Sequence, residues 1–432
     1  MFKYGIFIIS IIQIYNLELD LIKIESNTIK KNKRKLVEKK GYGNILSKLS
    51  TGLYHINITV GSNNQKLNLL FDTGSSLIWF YDKECLNCQF NNSFNKKESS
   101  TYKNSTTEKD IKYLSGIVKG NVSIDNIQFS GIKIQNFRFI LVNNSTINVK
   151  IDGIIGFNQF KDKNPGSSIS FIDQLYDKRK ITKKKFLCDI INTGKIYIGD
   201  IPNHLSKNEV IVFISRYSGD DWWINFEKLI INNKSYELNK TEQDIILDSG
   251  TNGLIFPLKL LDFFKDNLFN DLINQKICKI KNDHKLNISH FECIDDIIKN
   301  KTFLSKNISF SIENNSINIP MNNLLNKNDY SFSIYFSLFV KKWIFGIPFF
   351  ESHAILFDKE TQSITIYKTK FQQKNKRRMN NQKLTETIAV GITMFIFISL
   401  ICGSFWYLNK QRAAKRITKD MIESNIKYRP IV

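Results

Sequence analysis

A chain of 432 residues is too long for one hydrophobic core and has room for two lobes of about 150 residues each with flanking segments. Its 42% hydrophobic and 12% aromatic content excludes a disordered protein. The net charge of +22 would suit a nucleic-acid binder, but the basic residues gather in runs at Lys30–Lys40, around Lys183, at Lys374–Arg378 and from Lys410 onward. No nucleic-acid recognition motif lies among them, so nucleic acid is not expected as a partner.

In chain order, residues 1–19 read as a signal peptide: Lys3 precedes the apolar run Tyr4–Leu17, which is too short to span a bilayer comfortably. No clear small-residue cleavage site follows it, which leaves an uncleaved anchor open. A basic segment covers 20–49. From about Leu53 the pattern becomes short apolar stretches broken by Asn, Gly and Ser, as in LYHINITVG, KLNLLFDTG, IDNIQF and FRFILV, which predicts a mainly β fold. Helical patterns are best near Ile169–Tyr176 and Leu258–Leu272. The expected lobes are 50–205 and 206–370, followed by a basic juxtamembrane linker at 371–387.

Ile388–Leu408 contains no charged side chain and is about as long as a bilayer core requires, so a transmembrane helix is expected there, with Trp406 and Tyr407 at the interface. Residues 409–432 then form a short basic cytosolic tail, in which Tyr428-Arg429-Pro430-Ile431 reads as a sorting signal. Together with the N-terminal signal this predicts a single-pass type I membrane protein with luminal or extracellular lobes, in the secretory pathway, an acidic organelle or the cell surface. Sequons at Asn57, Asn104, Asn121, Asn239, Asn287 and Asn307 fit a glycoprotein.

That compartment permits disulfides. Cys85 and Cys88 form a CxxC that is open to a redox, a half-zinc-site or a loop-closing disulfide reading. No second CxxC or His pair accompanies it, which favours the disulfide. Cys278–Cys293 is the expected second bridge, and Cys188, within FLCDII, a buried free thiol.

The most informative feature is an internal repeat. Leu70-Phe71-Asp72-Thr73-Gly74-Ser75 returns as Ile246-Leu247-Asp248-Ser249-Gly250-Thr251, a separation of 248 − 72 = 176 residues. Ile154-Ile155-Gly156 follows the first copy and Ile344-Phe345-Gly346 the second. Two structurally similar halves are implied, each offering one Asp.

These residues resemble the pepsin-like aspartic proteases, including membrane-anchored and plasmepsin-like members, over about Gly52–Lys368. The first half adds SSTYK at Ser99–Lys103, a flap-like IKYLSG at Ile111–Gly116 and IDGIIG from Ile151. The second adds WIFGIPFF from Trp343 and AILFD from Ala354. The resemblance implies an all-β or mainly β, bilobal fold with a few short helices, and peptide-bond hydrolysis, in acid, by Asp72 and Asp248. One carboxyl of such a pair stays protonated, because two carboxylates about 3 Å apart repel by several kcal/mol even at an effective dielectric of ~20.

By the same resemblance, Gly74 and Gly250 admit the backbone close to the carboxylates, Thr73 and Ser249 bond across to the opposite loop, and Ser75 and Thr251 hold the outer oxygens. Tyr113, with Ser115 and Gly116, belongs to a flap that closes on substrate, and Trp79 packs beneath it. Leu70, Ile151 and Ile154 map to the pocket before the cut bond and Ile246 near the one after it, which implies bulky apolar flanking residues. Leu21–Lys40 resembles the start of a zymogen propeptide, whose lysines would pair with cleft carboxylates. Two departures stand out: Leu114 where the flap usually has Gly, and Ile347 where Asp is common. No metal or cofactor is expected, the partner is a peptide or protein substrate besides the membrane, and a monomer is expected. A catalytically silent adhesive glycoprotein on the same fold is the rival reading.

Overall fold

The computed structural model describes residues 17–23, 52–113, 115–147, 150–159, 169–202, 205, 210–214, 221–240, 242–284, 286–313, 315–340, 342–367, 404–413 and 415–416. The described architecture is mainly β and bilobal, with a few short helices. The strand Gln65–Asp72 shows why these sequences make strands. Its outer end alternates, with Leu67 and Leu69 buried between exposed Lys66 and Asn68, and its inner end, from Leu69 to Asp72, is buried on both faces.

In the first half this strand lies between Tyr54–Val60, which is antiparallel to it, and Gly153–Gly156, which is parallel. Ile78–Leu86 runs antiparallel to Gly153–Gly156 and parallel to Ile132–Ser145. The second half repeats the arrangement. Asp244–Leu247 is parallel to Trp343–Phe345, and Leu254–Pro257 runs antiparallel to that strand and parallel to Ser331–Ser337. The repeat in the amino-acid sequence is thus a repeat of strand connectivity.

A six-stranded sheet takes strands from both halves. Lys185–Asp189 of the first pairs with Ala354–Asp358 of the second, Ser363–Tyr367 and Val210–Ile214 extend one side, and Lys195–Ile198 and Leu17–Asp20 the other. Leu17 and Leu19, at the end of the segment read as a signal peptide, are buried in this sheet. Aromatic rings join it to the first half: Phe71 packs on Phe157 at 4.9 Å between centroids, Phe157 on Phe186 at 4.9 Å, and Phe186 stacks on Phe357 at 4.8 Å. Of the helical patterns, the first is the helix Phe171–Asp177, and the second a winding from Leu258 to Asn274 that passes through 3₁₀, α and π turns.

Cys85 is bonded to Cys88 and Cys278 to Cys293, the latter pair standing directly opposite across two antiparallel strands; Cys188 is buried and free.

The membrane expectation requires correction. Among the described residues no helix is long and apolar enough to cross a membrane. Of the expected span, residues 404–408 are described, within a helical stretch over 404–413 that carries Lys410 and Arg412. The remainder of Ile388–Leu408 lies outside the described residues. So do the linker 371–387, the tail beyond 416 with Tyr428, residues 1–16, residues 24–49 of the propeptide-like segment, residues 50–51, and Leu114. The C-terminal transmembrane helix, the type I topology, the membrane as partner and the localisation built on them are withdrawn.

Candidate active site

Asp72 is the last residue of its strand, and Asp248 directly follows its own. Parallel pairing against the Gly-ended strand brings each chain to a turn at the same level. Phe157 N–H donates to Asp72 O at 2.8 Å, and Asp248 N–H donates to Phe345 O at 3.0 Å. The two Asp-containing turns then interlock by four reciprocal bonds. Thr73 N–H donates to Ser249 Oγ at 2.9 Å and Ser249 N–H to Thr73 Oγ1 at 2.9 Å, while Thr73 Oγ1 donates to Leu247 O at 2.9 Å and Ser249 Oγ to Phe71 O at 3.0 Å. Both hydroxyls are fully buried and each donates and accepts, so none of their hydrogen-bonding capacity toward the other loop is wasted.

The carboxylates are held in matching cradles. Gly74 N–H donates to Asp72 Oδ1 at 2.8 Å and Gly250 N–H to Asp248 Oδ1 at 2.8 Å. Ser75 Oγ donates to Asp72 Oδ2 at 2.5 Å and Thr251 Oγ1 to Asp248 Oδ2 at 2.7 Å. The glycines are required by space: a Cβ on Gly74 would lie 2.6 Å from Asp248 Oδ1, and one on Gly250 would lie 2.6 Å from Asp72 Oδ1. Each turn therefore closes over the opposite carboxylate.

Burial pushes both carboxyls above the usual carboxylate range. For Asp72 the neighbouring Asp248 charge adds to it, while the Ser75 and Gly74 bonds pull the other way. Both carboxyls are raised and they act on one another, so the shared proton belongs to the pair rather than to either residue. One acid and one base side by side in a buried site can activate a water and protonate a leaving group.

Above Asp72, the strands Lys103–Tyr113 and Gly116–Phe129 form a hairpin closed by the Tyr113–Gly116 pair, with Ser115 half-buried at its tip. Tyr113 OH accepts a 2.7 Å bond from Trp79 Nε1, and burial followed by the Asp72 charge raises its pKa. Leu70, Ile154 and Trp79 are neighbours in register across three strands, on one row of the sheet. Ile151 is buried just before the Gly153–Gly156 strand. Ile246 stands in the equivalent row of the second half, beside Trp223, Ile344, Ile255 and Tyr335.

None of those last four residues is among the expected site residues, although Ile344 belongs to the repeat. The repeat carries a signal for two of them: Ile344 corresponds to Ile154, and Ile255 stands seven residues after Asp248 as Trp79 stands seven after Asp72. Nothing local marks Trp223 or Tyr335. Ile347, the departure in the second loop, is buried, and its N–H donates to Thr251 O at 2.9 Å, so backbone supports that loop without a carboxylate side chain.

A fold of paired, buried aspartates on interlocked Asp-hydroxyl-Gly turns defines a class, and residues 53–369 match the family model described as eukaryotic aspartyl protease. The chain belongs to the eukaryotic aspartyl protease family. It is 28% identical over 272 residues to the probable aspartic-type endopeptidase CTSD of Arthroderma benhamiae, a match covering 58% of this chain and 52% of that protein. It is 24% identical over 339 residues to plasmepsin I of Plasmodium falciparum, covering 74% and 69%. Chicken (Gallus gallus) pepsin A is 23% identical over 328 residues, covering 72% and 83%. The match thus spans about half the length of the fungal relatives, at 52%. Similarity of the same order to a fungal endopeptidase, a plasmepsin and a pepsin corrects the plasmepsin-like expectation to the pepsin-like family as a whole.

Proposed function

We propose that this chain is an aspartic-type endopeptidase in which Asp72 and Asp248 share one proton and activate water for attack on a peptide bond. The ionised carboxylate takes a proton from water while the protonated carboxyl donates to the substrate carbonyl, so the dyad changes hands of one proton without changing its net charge. The observation that carries this reading is the mutual closure of the two turns, in which each glycine abuts the opposite carboxylate. That closeness, in a buried site, is what forces unequal protonation.

Thr73, Gly74, Ser75, Ser249, Gly250 and Thr251 support the pair, and Tyr113 with Trp79, Ser115 and Gly116 covers bound substrate. Leu70, Ile151 and Ile154 on one side and Ile246 on the other favour bulky apolar residues at the cut bond, since burying such a side chain contributes about 1.5–3 kcal/mol. We place the two lobes at 50–205 and 206–370, preceded by a leader and a propeptide-like segment.

The test is acid cleavage of a denatured protein by the full chain. The expected result is hydrolysis blocked by a pepstatin-type inhibitor and reduced more than about a thousandfold by either Asp72→Ala or Asp248→Ala. Activity that survives one of these substitutions rules the dyad out, and a wild-type chain that cleaves nothing favours the silent adhesive alternative.

A further inference from the structure

Asp221 lies outside both repeated turns yet is wired into them. Its Oδ1 accepts a 2.9 Å bond from Asn158 Nδ2. Asn158 is 4% exposed, and its N–H donates to Ser75 O at 2.9 Å, so it is fastened to the turn that holds Asp72. Its own Oδ1 accepts from Gln159 N–H at 2.8 Å, which fixes the amide so that its NH₂ faces Asp221. The next residue, Trp222, repeats the crossing: its indole Nε1 donates to Phe157 O at 2.9 Å, and its carbonyl accepts from Leu247 N–H at 3.0 Å, one residue before Asp248. Two adjacent residues of the second half therefore tie the chain just after Gly156 to the strand that presents Asp248.

We propose that Asp221 is a positioning residue of the catalytic centre, a third carboxylate that locks the Asp72 turn to the Asp248 strand through Asn158 and brings its charge beside the dyad. This rests on the peptidase reading of the same site and deepens it. Burial is the largest influence raising Asp248, and the Asp221 charge acts in the same direction. Among the described residues, Asp72 bonds to Asp248, and Tyr113 feels the Asp72 charge from the first half. At the outer end of the same strands stand Asp244 and Lys342, whose Nζ lies 3.7 Å from the centre of the Trp223 ring and 3.9 Å from Asp244 Oδ2.

A nearby like charge disfavours ionisation, so removing it lowers both apparent dyad pKa values and moves the activity profile toward acid. Asp221→Asn keeps an acceptor for the Asn158 amide and removes the charge. Both limbs of its kcat/KM profile should shift about half a pH unit to acid, with kcat at the optimum within about threefold of wild type. Asn158→Ala keeps the charge and removes the tie, and should lower kcat about tenfold without moving the limbs. An Asp221→Asn profile that superimposes on wild type overturns the proposal.

A second measurement reads the same coupling without catalysis. In thermal melts of the full chain, Asp221→Asn should raise Tm at pH 7 relative to its effect at pH 4, and that gain should vanish in an Asp248→Asn background. A gain of equal size in that background, or none in either, overturns the proposal. A wild-type chain without peptidase activity would defeat the earlier reading alone, because the melting cycle still reports on Asp221.

Discussion

The two halves share a strand plan and differ in what surrounds it. In the first, a long hairpin carries Tyr113 over Asp72, and Trp79 below it is tied to Tyr113 through its indole. In the second, the residue in the place of Trp79 is Ile255, which packs with Tyr335 and Ile344 as a separate apolar cluster. At the start of the same row the first half has His55 beside Leu70, and the second has Trp223 beside Ile246. The chain after the Gly-ended strand differs too. Asn158 donates its N–H to Ser75 O, whereas the corresponding Pro348 has no N–H and is the second residue of the short helix Ile347–Phe350. Duplication supplies two carboxylates in matched cradles. The unmatched surroundings give one side a cover.

The cradles are the sharpest place to test how equivalent the halves are. Gly74→Ala and Gly250→Ala each drive a Cβ to 2.6 Å from the opposite carboxylate, so each should cut kcat/KM by more than about a hundredfold. A steady-state assay in which one variant retains most of its activity would show that the turns are not interchangeable.

Next in size is the interlock. Thr73→Ala and Ser249→Ala each remove a hydroxyl that makes two buried bonds across the halves, and each should cost about 2–3 kcal/mol in denaturant unfolding. The exchanges Thr73→Ser and Ser249→Thr keep the hydroxyl and should recover most of that loss. If the alanine variants differ by more than about twofold, the reciprocal bonds are not energetically symmetric.

Smallest is a pH effect that sets the halves against each other. Burial holds His55 in the first half down to about 4, with Asp152 pulling weakly upward, and holds His353 in the second down to about 4. A histidine kept neutral by the fold contributes stability at neutral pH that is lost as pH falls from its unfolded value of 6.5 toward 4. The dyad has the opposite sign: its folded pKa values are raised, so its contribution is present in acid and is lost as pH rises past the ordinary carboxylate range. His55→Gln should therefore shrink the loss of stability between pH 7 and pH 4.5 by about 1–2 kcal/mol, read from melting curves at both pH values. An unchanged difference would place the acid sensitivity elsewhere, with His353 the first place to look.

What was legible in the residues was whatever the chain repeats. A doubled Asp-hydroxyl-Gly turn, each followed by an apolar-apolar-Gly strand, is a local pattern, because turn chemistry and strand alternation depend on near neighbours in sequence. Asp72, Asp248, their supporting hydroxyls and the two-half architecture could be read at that level. The apolar run from Ile388 was equally visible, but hydropathy reports composition alone. Among the described residues no helix long and apolar enough to cross a membrane accompanies it.

Asp221, Asn158, Trp223 and Tyr335 carry no motif, and their neighbours in sequence say nothing of the site. Strand register decides their place: Trp223 pairs with Ile246, Tyr335 pairs with Ile255, and Trp222 and Asn158 are joined to the opposite half through bonds between residues more than 60 positions apart. The amino-acid sequence by itself determined which two carboxylates stand on matched turns, since each needs its own turn. Only the tertiary structure decided how they face one another and what surrounds each, because burial and charges brought close by folding are not properties of a local segment.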